Sequence, residues 1–191
     1  MAGVFVCGTS GSGKTYWAAR RFKMLPSAYA AVFVNTQFEQ YFSGCEIVHR
    51  FPNMPERGSH VVWEIENPDE LEEWLGSLFR HLRKVKRAFY TYIFVDEADI
   101  YARRYSISFN IRAIATRGRR YNVVPVWITQ RPQMVHADII SQADTFVFFR
   151  CWERDYEYFS RVWRIDLSKF YNHLLQPYRY VVLRGGQFYV S

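Results

Sequence analysis

A glycine-rich segment near the start of the sequence constrains the fold more than any other feature. Residues 8–15 fit the pattern G-x-x-x-x-G-K-[ST], in which a loop cradles phosphate groups. An apolar run over residues 4–7 precedes it and a helical pattern over residues 16–22 follows it, which is the context that this motif requires. The segment therefore predicts an α/β nucleotide-binding domain. Its members are Gly8, Thr9, Ser10, Gly11, Ser12, Gly13, Lys14 and Thr15.

The residue types in this loop have physical reasons. Glycines let backbone N–H groups turn inward around phosphate oxygens without a Cβ clash, and the following helix directs its positive N-terminus at the same anion. The Lys14 ammonium group is expected to reach the β- and γ-phosphates, and the Thr15 hydroxyl to bind Mg²⁺. The loop thus predicts ATP and Mg²⁺ as cofactors.

A second candidate site lies in the middle of the chain, where an apolar strand pattern over residues 90–95 ends in Asp96 and Glu97. Open α/β sheets bind ligands at the carboxyl ends of their strands, so both carboxylates are expected in the binding crevice. Asp96 is expected to bind Mg²⁺ directly or through water. Glu97 is expected to orient and polarise the water that attacks the γ-phosphate, which is the chemistry of a hydrolase.

Length, charge and cysteine usage limit the class of protein. A chain of 191 residues suffices for one domain with its own core, and the net charge of +7 predicts an anionic partner besides the nucleotide, most commonly nucleic acid. The three cysteines lack a C-x-x-C pair, which argues against a disulfide framework or a zinc site and for a reducing compartment. No apolar run approaches the ~20 residues that span a bilayer, so we expect a soluble protein without a transmembrane segment.

The rest of the chain alternates between strand and helix patterns. Helices are predicted from residue 68, with Asn67 as the N-cap, and over residues 106–120. The first helix ends in a basic run, residues 80–87, which fits either a solvated helix end or a contact with the DNA backbone. The aromatic content of 19% is expected to serve mainly the core. Strands are predicted at residues 30–35, 46–49, 61–65, 123–129 and 145–150, and a hairpin at 178–184 and 187–190 across Gly185 and Gly186.

One predicted strand contains an unfavourable residue. Pro125 lies within residues 123–129, and a central strand needs every backbone N–H for its ladder.

The chain as a whole is expected to form a single domain over residues 1–191, with a motor core over about 1–150 and a C-terminal extension over about 151–191.

Three motifs together resemble the FtsK–HerA superfamily of ring-shaped DNA-pumping ATPases. They are the phosphate-binding loop, the Val95-Asp96-Glu97 strand end and the Thr129-Gln130-Arg131-Pro132 strand end, in the order and rough spacing of that superfamily. Within it, the chain is most similar to the genome-packaging ATPases of membrane-containing icosahedral viruses, including archaeal turreted viruses. The resemblance covers roughly residues 1–150.

This resemblance implies a fold and a function. The fold would be a RecA-like (ASCE) P-loop NTPase of the α/β class, with a mainly parallel central sheet flanked by helices, to which the C-terminal hairpin is added. The function would be ATP-driven packaging of double-stranded DNA into a preformed capsid by a homo-oligomeric ring, a hexamer or a pentamer. The partners would include a capsid vertex or virion membrane protein, and the location would be the host cytoplasm or the virion or procapsid vertex.

Site residues also follow from the resemblance. Gln130 would be the polar sensor of the γ-phosphate or the attacking water, because an amide both donates and accepts hydrogen bonds. Arg119 would enter the neighbouring subunit's site as an arginine finger, with Arg117 and Arg120 as alternatives. Arg103 and Arg104, together with Tyr101 and Tyr105, would face DNA in the pore, unless this segment is simply a solvated surface.

Four other functions are compatible with parts of the sequence. Residues 95–99 also spell the DEAD-box helicase motif, but those helicases use two RecA-like domains and the length here suffices for one. A nucleoside or nucleotide kinase would have a lid with arginines and neither Glu97 nor Gln130 in these roles. A filamentous-phage assembly ATPase would usually carry a membrane anchor. A nucleotide-binding module without hydrolysis would not need Lys14, Asp96 and Glu97 together.

Overall fold

The computed structural model describes residues 3–35, 40–85 and 88–191, in which strands and helices alternate. The strands are β1 (Val4–Cys7), β2 (Ala30–Asn35), β3 (Glu46–Val48), β4 (His60–Glu64), β5 (Thr91–Val95), β6 (Ala102–Arg103), β7 (Ser106–Ile107), β8 (Val123–Thr129), β9 (Thr145–Phe148), β10 (Val181–Arg184) and β11 (Gln187–Val190). The α-helices are α1 (Lys14–Lys23), α2 (Pro68–Lys84), α3 (Ala98–Tyr101), α4 (Phe109–Arg117), α5 (Ala137–Ser141), α6 (Glu153–Trp163) and α7 (Tyr171–Leu174).

A nine-stranded sheet runs through the described residues in the order β11-β10-β9-β1-β8-β5-β2-β4-β3. From β9 to β3 all neighbours are parallel, whereas β10 is antiparallel to both β9 and β11. The strands β1 and β5, which precede the two main motifs, are separated by β8 alone. This architecture confirms the predicted fold class, a mainly parallel sheet with helices around it and a C-terminal hairpin.

Two apolar layers cover the two faces of the sheet. Helix α1 covers one face, where Phe22 meets Phe33 with ring centroids 5.7 Å apart and Phe33 stacks on Phe94 at 5.4 Å. Helix α2 covers the other face, where Trp74 lies against Trp63 at 5.7 Å. Successive residues of each buried strand serve opposite layers because strand side chains alternate. The expectation that aromatic residues fill the core is thus met by rings on both faces.

The central strand β8 accommodates Pro125. Pro125 is opposite Ile93 of β5, but β1 pairs with β8 only from Val126 onward, where Val4 is the partner. Gly3 lies beside the proline instead, so close that a Cβ on Gly3 would be 3.5 Å from Pro125 Cγ. The strand therefore has one paired neighbour at this level, which is why a residue without an N–H is tolerated in it.

The predicted helix over residues 106–120 was wrong at its start. Ser106 and Ile107 form β7, which pairs antiparallel with β6, and α4 begins only at Phe109. The reason lies in α2: the Glu72 carboxylate accepts hydrogen bonds from the backbone N–H groups of Asn110 (2.8 Å) and Ile111 (3.0 Å). A side chain 38 residues away thus caps the first turn, and a local sequence pattern does not reveal such a cap.

The C-terminal hairpin lies where it was predicted, and it extends the main sheet. Its turn consists of Gly185 and Gly186, whose φ angles of 57° and 78° are in the left-handed region that a tight hairpin needs. Strand β10 pairs with β9, with Val181 opposite Phe148.

In the described parts of the chain, no helix has the length and apolar character needed to cross a membrane.

The Glu72 cap gives a stability prediction. We expect Glu72→Ala to lower the free energy of unfolding by about 2 kcal/mol, because it removes charge-assisted hydrogen bonds that satisfy the first turn of α4. Urea unfolding followed by circular dichroism measures the change. The matched control is Glu73→Ala, one residue along the same helix at an exposed position, which should stay within about 0.5 kcal/mol of the parent. Equal losses in both variants would contradict the cap.

Candidate functional site

The glycine-rich loop connects β1 to α1 at the carboxyl edge of the sheet. Gly11 and Gly13 have φ angles of 70° and 103°, so the chain turns in conformations that side chains with a Cβ rarely adopt. Gly8 is required for space: a Cβ there would lie 2.6 Å from the Cβ of Phe149 and 3.0 Å from the carbonyl oxygen of Arg150. The loop is therefore packed against the residues that follow β9.

Lys14 lies inside this loop, at the first position of α1. Its ammonium group donates a hydrogen bond to the carbonyl oxygen of Thr9 (2.8 Å). Burial lowers the pKa of Lys14, although the negative charge of Asp96 opposes that shift. Among the residues that the structure describes, the hydroxyl groups of Thr9 and Ser12 are buried without a hydrogen-bond partner. A buried cation beside two unsatisfied hydroxyls is a chemical match for phosphate oxygens.

Thr15 and Asp96 meet across the site. The Thr15 hydroxyl donates to one carboxylate oxygen of Asp96 (3.1 Å), and the backbone N–H of Glu97 donates to the other (2.9 Å). Burial raises the pKa of Asp96 to about 6, even though both hydrogen bonds and Lys14 favour the charged form. A hydroxyl and a carboxylate held together are oxygen ligands of the kind that Mg²⁺ prefers, so this pair fits the expected metal.

Glu97 has an unusual backbone conformation. Its φ and ψ of 51° and 48° are left-handed, which is uncommon for a residue with a side chain and costs about 1–3 kcal/mol. The residue stands immediately before α3 and is half-buried. Such strain is commonest at functional sites, because the surrounding structure must hold the residue in place.

Tyr101, which was expected to face DNA, is buried, with 7% of its surface exposed. Burial and the nearby carboxylates of Glu97 and Asp96 raise its pKa. Tyr101 therefore lies beneath the acidic pair and does not belong to a DNA-facing surface. Its position differs from the prediction because α3 turns this side chain inward before the chain reaches the β6–β7 hairpin.

The end of β8 completes the same edge of the sheet. Gln130 is exposed, and it lines one cavity of about 660 Å³ together with the glycine-rich loop. The residue before it, Thr129, is buried and donates its hydroxyl to the Asp99 carboxylate (2.6 Å). The lining residues are Ser10, Gly11, Gly13, Lys14, Thr15, Tyr16, Tyr41, Gln130 and Tyr178.

Several members of this site were missed by the sequence reasoning. Tyr41 and Tyr178 reach the cavity from distant parts of the chain, and no motif contains them. The contact between Thr129 and Asp99 was missed as well, although both residues flank motifs that were recognised. Thr129 ends β8 and Asp99 follows the end of the adjacent strand β5 by four residues, which was the available signal.

The three candidate finger arginines lie away from this cavity. Arg117 ends α4, and Arg119 and Arg120 are exposed in the turn Gly118–Tyr121 that leads into β8. Strand β8 has seven residues, so its two ends are separated by roughly 20 Å. Gln130 follows one end of β8 and the arginines precede the other. They are therefore at the opposite edge of the sheet from the cavity of their own chain.

The other candidate basic residues are at a hairpin. Arg103 and Arg104 are exposed around the turn between β6 and β7, beside Tyr105, which is 86% exposed and lies 5.1 Å under the Arg104 guanidinium. In the predicted basic run at residues 80–87, Arg83 and Lys84 are exposed near the end of α2. Lys86 and Arg87 lie outside the described residues.

Solved structures with the same architecture identify the fold. The genome packaging NTPase B204 from Sulfolobus turreted icosahedral virus 2, in complex with ATP-γ-S, superposes with a TM-score of 0.77 at 15% sequence identity, covering 98% of this chain and 95% of that one. The chain has the B204 fold. The B204 DNA-packaging ATPase from Sulfolobus turreted icosahedral virus gives 0.77 at 14% identity, with coverages of 99% and 96%.

A more distant structure has a related fold. VirB4 of Thermoanaerobacter pseudethanolicus superposes with a TM-score of 0.67 at 10% identity, covering 98% of this chain and 88% of that one. Neither a protein-family model nor a curated protein sequence matches the chain. The resemblance inferred from three motifs is thus confirmed as a likeness of fold. The likeness to B204 also extends beyond residue 150, where the sequence resemblance ended.

Proposed function

We propose that this protein is an ATP-hydrolysing motor that translocates double-stranded DNA and packages a viral genome into a preformed capsid. The observation that carries the proposal is the strand order β1-β8-β5. It brings Gln130 between the phosphate-binding loop on one side and the Asp96–Glu97 pair on the other. The B204 fold supports the same function, since the B204 proteins are genome-packaging NTPases.

In the proposed site, the chain binds MgATP by its triphosphate. The unsatisfied hydroxyls of Thr9 and Ser12 and the ammonium group of Lys14 would contact phosphate oxygens. Thr15 and Asp96 would hold Mg²⁺, which, when bound, neutralises charge on the phosphates. The positive charge of bound Mg²⁺ beside the Asp96 carboxylate would lower the raised pKa of Asp96 and stabilise its ionised form.

Hydrolysis is supported by the residue after Asp96. The left-handed backbone of Glu97 directs this residue away from the regular path of β5 at the carboxyl edge of the sheet. A carboxylate there would accept a proton from the attacking water, and Gln130 would orient that water or the γ-phosphate. A kinase would transfer the phosphoryl group to another acceptor and would not need a water-activating carboxylate, so these two residues favour the hydrolase.

A ring is supported by the position of the arginines. Arg119 precedes β8 and its own cavity follows β8, so the guanidinium does not reach the γ-phosphate site of the same chain. An arginine at this edge would act only on the site of an adjacent subunit, which a head-to-tail ring provides. Arg119 is our first choice for the finger, and Arg117 and Arg120 are the alternatives.

A short physical path connects the site with the arginine-bearing hairpin. Thr129 contacts Asp99 of α3, which leads directly into β6. The segment after Gln130 also contacts the β6–β7 hairpin. The backbone N–H of His136 donates a hydrogen bond to the carbonyl oxygen of Ala102 in β6 (2.9 Å). A change at Gln130 would therefore reach the hairpin through both connections. We propose that Arg103 and Arg104 contact the DNA backbone there.

The remaining partners belong to the same proposal. The net charge of +7 supports binding to DNA, and a capsid vertex or virion membrane protein would orient the ring. The motor would act in the host cytoplasm, or attached to the virion or the procapsid vertex.

The first functional prediction concerns Glu97. We expect Glu97→Gln to retain the affinity for MgATP and to lower turnover at least 100-fold, because the amide cannot take the proton of the attacking water. A filter assay of ATP hydrolysis and a titration with a non-hydrolysed ATP analogue measure the two quantities. Glu73→Gln, at an exposed position of α2, is the control. Unchanged turnover would contradict the role of Glu97.

The second prediction tests the motor as a whole. The ATPase rate per subunit should rise with protein concentration, because sites are completed on assembly, and should rise again with long double-stranded DNA. The rate is measured over a range of protein concentrations, with and without DNA. An ATPase rate that depends on neither protein concentration nor DNA, together with ADP formation stimulated by a small nucleotide acceptor, would instead identify a kinase.

The third prediction tests the arginine by complementation. In a ring of Arg119→Ala subunits every site lacks the arginine, and in a ring of Glu97→Gln subunits every site lacks the carboxylate, so each variant alone should be inactive. Mixed in equal amounts, they should recover up to about a quarter of the wild-type rate, because a quarter of random neighbours pair an intact Glu97 with an intact Arg119. Arg117→Ala and Arg120→Ala are tested in the same way. Failure of every mixture to recover activity would contradict a finger acting between subunits.

A further inference from the structure

A second cavity adjoins the phosphate-binding loop and is lined mainly by aromatic rings. Its volume is about 370 Å³, and it shares Gly13, Tyr16 and Tyr178 with the larger cavity. The two cavities therefore meet at Tyr178, beside the loop that would hold the triphosphate. The lining side chains of the second cavity include Tyr16, Trp17, Arg20, Arg21, Tyr178 and Tyr180.

Tyr178 is held at this boundary in a strained conformation. Its φ of 59° is left-handed, and a bulky aromatic residue adopts that region at a cost. Its ring contacts the loop, since a Cβ on Gly13 would be 3.0 Å from Tyr178 Cδ1. The side chain is nevertheless 68% exposed. An exposed ring on a strained backbone, beside the phosphate-binding loop, offers an open aromatic face toward the cavities.

Neighbouring aromatic rings that line the second cavity pack against one another. Tyr180, two residues on, packs against Phe149 at 5.3 Å and against Trp17 at 6.3 Å between ring centroids. Trp17 is in turn covered by the Arg21 guanidinium at 5.4 Å. These contacts join the start of β10 to α1 and to the residue after β9. Tyr180, Phe149 and Trp17 line the second cavity together with Tyr178.

We infer that Tyr178 stacks on the nucleobase of the bound nucleotide, an inference that rests on the proposed nucleotide site. Among the described residues that line the second cavity, none has a carboxylate or a side-chain amide that would read the hydrogen-bonding edge of a base. Recognition there uses ring faces and guanidinium groups, which every base can contact. Stacking grows with ring area, so ATP and GTP bind about equally and more tightly than CTP and UTP.

The test uses a variant that removes the ring without straining the backbone. Glycine adopts a φ of 59° at no cost, so Tyr178→Gly should unfold at no lower temperature than the parent. It should raise the Kd of MgATP-γ-S and of MgGTP-γ-S about ten-fold. The inhibition constant of tripolyphosphate, which has the phosphates but no base, should be unchanged. Tyr178→Phe, which keeps the ring, should restore the wild-type affinity.

The controls separate this inference from the proposed function. Tyr189→Ala removes an exposed ring from β11 and should change no constant. A Tyr178→Gly variant whose affinities for both nucleotides stay within two-fold of the parent would overturn the inference. An equal loss of tripolyphosphate binding would also overturn it, because Tyr178 would then act on the loop through Gly13. Nucleotide binding without hydrolysis in the parent would reject the proposed motor and still allow the Tyr178 test.

Discussion

The parallel pairing of β1, β8 and β5 is the constraint on which the site depends. Parallel strands have all their carboxyl ends at one edge, so whatever follows each strand meets there. The glycine-rich loop follows β1, Gln130 follows β8, and Asp96 follows β5. Aromatic rings pack on both faces of the sheet, and Pro125 of β8 lies at a level where this strand has one paired neighbour. The chemistry of the site is thus a consequence of strand order.

Burial at this edge shifts the pKa values of a cationic and an anionic side chain in opposite directions. It lowers the pKa of Lys14 and raises that of Asp96, so each ionised group is less stable than it would be in water. The site also has the unsatisfied hydroxyls of Thr9 and Ser12 and the left-handed backbone of Glu97. Shifted pKa values, unpaired polar groups and backbone strain at one edge are features that stability alone would select against, and together they point to binding and catalysis.

The same sheet separates the proposed tasks of the subunit. The cavity lies after β8 and the candidate finger arginines lie before it, so the length of β8 separates them, and in the proposed ring the arginines would act on a neighbouring subunit. The hairpin with Arg103 and Arg104 is attached to the cavity through Thr129 and Asp99. The C-terminal hairpin extends the sheet beyond β9. Tyr178, three residues before β10, lies against the glycine-rich loop. A small α/β domain thereby combines nucleotide binding, subunit contact and a DNA-facing element in the proposed motor.

Local sequence patterns were enough for the fold class, the strands of the nine-stranded sheet and the main polar residues of the candidate site, but not for the short strands β6 and β7. The glycine-rich loop and the acids after β5 depend on backbone conformations and strand ends that a few consecutive residues specify. Long-range contacts were beyond such patterns: the Glu72 cap that delays α4 to Phe109, the inward turn of Tyr101, and the arrival of Tyr41 and Tyr178 at the cavity. The sequence by itself determined which groups are candidates to bind phosphate, because the glycine-rich loop is a local pattern. Only the tertiary structure decided which aromatic rings surround them, because packing joins residues that are distant in the chain.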